Sequence, residues 1–303
     1  MIHDVKGRGM GNRGWMKVVA LAMTGFLTFA LLGCGPQADS SKSGKTTANS
    51  SDSATSSAGS VKPVMSEKEA GEYYERLVEP INSVHDNVQK AYYEGDVVAL
   101  TESSELLAKN YDEAAVKIES AEWPDRAVKY AQKVAADFKN DADVYRQFSG
   151  AASMDELESM SVDASDGSAT AALRKVLNLP EAPAGFLPFS SPGGEYTGTM
   201  PGSDYGNGRV VVKNDLGIVT YAVTPTITFL DSEGNSLGET YPQSSTPVQP
   251  GASISVDFLV SPDITGKIRH IKVTSVNWHR GSADSTNFYQ APVDGKLIDI
   301  NQP

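Results

Sequence analysis

The 303-residue chain carries 26 basic and 38 acidic side chains, a net charge of −12. That balance excludes nucleic acid as a partner, whose binding needs clustered Lys and Arg, and gives the body of the chain no pull toward anionic lipid headgroups. A single cysteine, Cys34, excludes an intramolecular disulfide framework, and the length suits two modest domains.

Lys6, Arg8, Arg13 and Lys17 form a basic leader ahead of an apolar run from Val18 to Leu32. The run falls short of the roughly 20 residues a transmembrane helix needs, so residues 1–33 read as a secretory signal peptide. Its end, Leu31-Leu32-Gly33-Cys34, resembles the lipobox of bacterial lipoproteins. The resemblance implies a diacylglycerol on the Cys34 sulfur, cleavage that makes Cys34 the new N-terminus, and retention on the extracytoplasmic face of the cell membrane. Two acyl chains anchor firmly where one is marginal. Two nucleotide-like motifs fail here. Gly9-Met10-Gly11-Asn12-Arg13-Gly14 follows no strand, and Gly44-Lys45-Thr46 has Asp39 where a phosphate loop needs glycine.

Residues 34–63 are dominated by Ser, Thr, Ala, Gly, Lys and Asp. Such a segment cannot bury enough apolar surface to offset its ordering entropy, and it reads as a flexible stalk with a typical span of about 30 Å. Residues 64–180 then turn helical. Ser66 and Glu69 fit a capping box, followed by an apolar stripe from Tyr73 to Ala91, with Pro80 expected to kink it. Leu100 to Ala121 carries a second stripe and Val128 to Tyr145 a third. Ser153 and Glu156 open a fourth helix, interrupted at Asp163–Thr170 and resumed through Leu177. Helices joined by short turns run antiparallel, so an up-and-down bundle is expected, with four helices or with three and a short piece.

Residues 181–206, rich in Pro, Gly and Ser, read as a linker or an extended edge segment. Beyond them the period becomes two. Strands are predicted at Arg209–Lys213, Ile218–Phe229, Leu237–Tyr241, Ser253–Leu259, Ile268–Trp278 and Lys296–Ile300, a β-sandwich over 207–303. Lys213-Asn214, the strand ending Phe229-Leu230-Asp231, the turn to Gly234 and Pro250-Gly251 resemble the FxLYD-type immunoglobulin-like domain of bacterial surface proteins. That resemblance implies a binding or structural module without common catalytic residues. The fold class expected is therefore α+β in two domains, a helical bundle followed by an immunoglobulin-like β-sandwich.

Signals for chemistry are sparse. His85 lacks a Glu three residues earlier and reads as an ordinary polar-face residue, so a di-iron bundle site cannot be built. His270 and His279 fall on opposite faces of a regular strand. No Gly-x-Ser-x-Gly elbow stands at a strand-to-helix turn, since Gly234-Asn235-Ser236-Leu237-Gly238 falls in the turn between two predicted strands. Asp231-Ser232-Glu233-Gly234-Asn235 lacks the alternating ligands of a calcium loop and reads as a hairpin turn. Trp278-His279-Arg280 is the one cluster that could stack on a sugar or hold a carboxylate. Against that, Trp278 becomes a core residue if a bulge near Thr274-Ser275 joins Ile271, Val273, Val276 and Trp278 on one face. The expectation is a lipid-anchored, non-enzymatic binding or structural module of the envelope, without cofactor or metal. Its partner would be an envelope protein or glycan, and the rival reading is an envelope-acting hydrolase or other enzyme.

Overall fold

The computed structural model describes residues 63–286 and 288–300; the leader, Cys34 and nearly all of the stalk lie outside the described residues. The chain is α+β, with a helical region over 67–176 followed by antiparallel-dominated sheets. No helix among the described residues is long and apolar enough to cross a membrane.

Three long helices, α1 (Glu67–Glu94), α2 (Val97–Glu119) and α3 (Asp125–Ser149), begin where capping residues stand. The Ser66 amide donates to Glu69 Oε2 (2.8 Å) and the Glu69 amide to Ser66 Oγ (3.3 Å), a reciprocal box that holds the Glu69 carboxyl below its usual range. The Ala99 amide donates to Asp96 Oδ1 at 3.0 Å to start α2. Two short helices, α4 (Met154–Ser159) and α5 (Ser168–Val176), flank the interruption predicted near Asp163. Asp and Ser in that stretch bond locally and so compete with helix. The stretch is fastened to α3, since Ser165 donates from its amide (2.8 Å) and its hydroxyl (2.6 Å) to the Asp141 carboxylate, and Asn140 Nδ2 donates to the Asp163 carbonyl (2.6 Å). Burial raises the Asp141 carboxyl, and the Ser165 bonds oppose that shift.

His85 departs from the expected polar face. It is 5% exposed, stands edge-on to Tyr145 at 6.3 Å, and burial pushes its imidazole down to about 4.

The β region contains β1 (Phe189–Thr199), β2 (Gly206–Asn214), β3 (Thr220–Leu230), β4 (Ser236–Thr240), β5 (Ser253–Val260), β6 (His270–Arg280), β7 (Phe288–Pro292), β8 (Asp294–Gly295) and β9 (Ile298–Asp299), with a single-turn α6 at Pro262–Thr265. One sheet runs β5-β2-β1-β8. The other runs β4-β3-β6-β7, with β9 also on β6. All pairs are antiparallel except β1 with β8. Val210, Val212 and Phe258 from the first sheet and Phe229, Val273 and Trp278 from the second belong to one buried cluster.

Residues 189–199, within the stretch read as a linker or an extended edge segment, form a strand that stands between two others. β1 pairs with β2 from Phe189↔Asn214 to Thr199↔Gly206. Its register shifts between Ser190 and Gly193, where Pro192 stands, and again between Tyr196 and Gly198. Proline is tolerated at such irregularities because no ladder amide is needed there. A Cβ at Gly194 would meet the Arg209 carbonyl and the Ile298 side chain, so close approach of backbones explains that glycine. β7 was not predicted, and the predicted strand 296–300 is reduced to β9.

The bulge expected in β6 is present. Thr226 faces Ser275 and Ile227 faces Val273, which leaves Thr274 unmatched. Ile271, Val273, Val276 and Trp278 are consequently all buried.

The chain divides into two compact units, and their boundaries cross the three long helices. The first holds residues 63–79, 111–141 and 162–183 of the described chain. Within it the Trp123 indole donates to the Ile118 carbonyl (2.8 Å), and the largely buried Arg174 donates to the Pro180 carbonyl (2.7 Å). The second holds 80–110, 142–161 and 184–300, so it joins helical segments to the whole β region. Its first residue is Pro80, whose carbonyl accepts from Asn110 Nδ2 at 3.3 Å.

Candidate functional site

Strand alternation separates the three residues of the Trp278-His279-Arg280 cluster. Trp278 is 0% exposed, with Phe189 at 5.0 Å, Tyr93 at 5.3 Å and Tyr289 stacked at 5.7 Å. It is a core residue and offers no surface to a ligand. His279 points to the other side of the sheet, where its Nδ1 lies 2.6 Å from the Ser285 carbonyl and its ring 5.7 Å from Phe288.

Arg280 returns to the Trp278 side and is consumed by structure. Its Nη1 donates to the Tyr92 carbonyl at the end of α1 (3.0 Å), and its guanidinium lies 4.8 Å from the Tyr289 ring centre. Glu158 of α4 approaches to 4.0 Å and also accepts from the Tyr289 hydroxyl at 3.2 Å. The Arg280 and Glu158 side chains are 15% and 17% exposed. Gly95 makes room for this arrangement. Its φ is +75°, and a Cβ there would come within 2.5 Å of Arg280 Nη1. Glu94 adds a bond from the Gly217 amide to its Oε1 (2.5 Å). Burial raises the phenols of Tyr92 and Tyr289, and the Glu158 charge adds to the shift; burial alone pushes Tyr93 up to about 12. Phenols held this way stay protonated and serve as packing and hydrogen-bond donors.

Sequence reasoning missed this joint, although the adjacent pair Tyr92-Tyr93 at a helix end was a visible signal. Two large aromatics there cannot both join the helix stripe.

A surface with free polar groups is the outer face of the β5-β2-β1-β8 sheet. Two adjoining depressions of about 330 and about 490 Å³ share Glu195 and Arg209. Glu195, Arg209 and Asp257 stand in register on β1, β2 and β5, an acid–base–acid row across three strands. Arg209 Nε donates to Asp257 Oδ1 at 2.7 Å, and that bond raises the guanidinium above its usual range, with Glu195 adding to the shift. Gly193 leaves open space on the floor, whereas a Cβ on Gly194 or Gly208 would meet Ile298 or the buried Phe258 ring. Thr240, Pro242 and Leu259 also line the second depression. Composition hid this groove because Gly193 and Gly194 lie in the stretch read as a linker or an extended edge segment.

Among the described residues no three His, Cys, Asp or Glu side chains gather at metal-binding distance. Cys34, the expected lipidation position, lies outside the described residues. No protein-family model and no curated protein matches the chain. Among solved structures it is similar to a Bordetella pertussis protein described as ApaA (11% identity, 38% of this chain and 94% of that one, TM-score 0.24). It is also similar to the alkylpurine DNA glycosylase AlkC of Pseudomonas fluorescens (10% identity, 77% and 69%, TM-score 0.19), and to a β-glucosidase of Listeria innocua (12% identity, TM-score 0.18), of which it spans only 18% while that match covers 39% of this chain. Likenesses at these scores transfer neither fold nor activity to this chain.

Proposed function

We propose that this chain is a lipid-anchored, non-enzymatic binding or structural module of the cell envelope. On this reading Cys34 carries a diacylglycerol, residues 34–63 form the tether, and the protein stands on the extracytoplasmic face of the membrane. The helices form an up-and-down bundle, and the two sheets form the layers of an immunoglobulin-like β-sandwich of FxLYD type. The partner is an envelope component, glycan or protein.

The observation that supports the reading best is the joint around Arg280. Cation, carboxylate and tyrosines are spent on one another there, which holds helical segments against β6 and leaves the outer face of the four-stranded sheet unencumbered. Such a build suits presentation of a surface. The sequence supports the anchor through the lipobox-like Leu31-Leu32-Gly33-Cys34.

Metabolic labelling of cells with a radioactive fatty acid tests it. The wild-type chain should take up label and fractionate with membranes, and Cys34→Ala should do neither. Equal label on both chains would overturn the reading.

A further inference from the structure

We infer that the groove over β1, β2 and β5 binds a short segment of a neutral saccharide; this deepens the reading of a binding module and rests on it. The argument starts from charge. Arg209 stands between Glu195 and Asp257, so an anionic ligand would meet two carboxylates for one guanidinium. A cationic ligand would meet a guanidinium at the centre of the row, already bonded to one of its two acids. A ligand without charge escapes both penalties and can still be hydrogen-bonded.

The free hydrogen-bonding capacity fits hydroxyl groups. Only Nε of Arg209 is engaged among the described residues, which leaves the Nη donors open. The Glu195 carboxylate makes no hydrogen bond or ion pair there, and it can accept from two neighbouring hydroxyls at once. Thr197 and Asn207 bond each other at 2.8 Å at the edge of the second depression and extend the polar strip. A sugar ring also has apolar C–H faces. The 54% exposed Leu259 and the Pro242 ring give them a surface at one end. From Asn207 to Val211 the strand runs roughly 13 Å, and three strands add about 10 Å across. That is room for a few linked rings.

Extended peptides fit less well. Addition of a peptide strand to the open side of β1 needs a regular ladder, and the register shifts at Ser190/Gly193 and Tyr196/Gly198 break it. Peptide anchoring also needs a buried pocket for a large side chain, whereas here the Phe258 ring fills the space beneath Gly208.

Saturation-transfer NMR on the full chain in detergent micelles tests this with cellotetraose, chitotetraose and maltotetraose as probes and tetralysine as competitor. At least one tetrasaccharide should receive saturation. Glu195→Gln and Arg209→Met should each weaken that binding tenfold or more while the melting temperature stays unchanged. Saturation of none of the three, binding indifferent to both substitutions, or displacement by tetralysine would overturn the proposal. The same measurement on Cys34→Ala is independent of the tether, so loss of sugar binding and loss of the lipid anchor are separate results.

Discussion

Arg280 and Arg209 stand on different sheets of one β region and meet opposite fates. Arg280 is 15% exposed and gives its donors to a helix-end carbonyl, its charge to Glu158 and its plane to Tyr289. Arg209 is 50% exposed, spends one donor on Asp257 and keeps the rest. Both are arginines beside a carboxylate, so residue type and charge do not separate them. What separates them is how far the fold has enclosed each one. An enclosed cation is a fastener, and a wet one is available to a partner.

The joint can be broken hardest at its centre. Trp278→Ala should lower stability by about 3–5 kcal/mol, the cost of truncating a large aromatic in a packed core. Urea denaturation followed by far-ultraviolet circular dichroism measures it; a midpoint equal to wild type would move Trp278 out of the joint.

The same contrast between dry and wet groups appears in pH dependence. Burial lowers the His85 imidazole in the folded protein from its ordinary 6.5 to about 4. The unfolded chain therefore binds the proton first, and stability falls as pH drops from about 6.5 toward 4, by about 3 kcal/mol in full. Burial raises the carboxyls of Asp86 and Asp141, so their contributions run the other way: present at low pH and lost as pH rises through their raised values. Comparing wild type with His85→Gln isolates the histidine. The variant should lose less stability over that window, and parallel pH profiles would place His85 in water.

The smallest effects sharpen the comparison most. Arg280→Met should cost about 2 kcal/mol, from a charged hydrogen bond and a cation–ring contact. Arg209→Met should leave the denaturant midpoint where it is, because exposed pairs contribute little. Equal shifts for the two would erase the distinction between fastener and free cation.

Much of this was legible in the residues. Ser66/Glu69 and Ser153/Glu156 mark helix starts that the bonds reproduce. The clash between alternation and burial in the sequence of β6 called for a bulge, and Thr274 supplies it. β1 was not legible, because Pro192, Gly193, Gly194 and Gly198 disfavour a strand locally and β2 supplies the pairing from a distance. His85 was readable in principle: Ile81, Val84 and Val88 surround it at helical spacing and all are buried. The groove was not, since its row of charges exists only after three strands come into register.

The late segment 293–299 serves both sheets. β8 lies parallel to β1 through Ser190↔Asp294 and Ser191↔Gly295, the Val293 amide donates to the Thr274 carbonyl of β6, and β9 pairs with β6 a few residues on. About a hundred residues separate Ser190 from its partner. At about 5–20 residues per second a ribosome needs roughly 5–20 s to span that gap. During that interval β1 has β2 on one side only, and the second sheet lacks β7 and β9. Both sheets are therefore completed only once residues 293–299 have been made, as a late event in the synthesis of the β region.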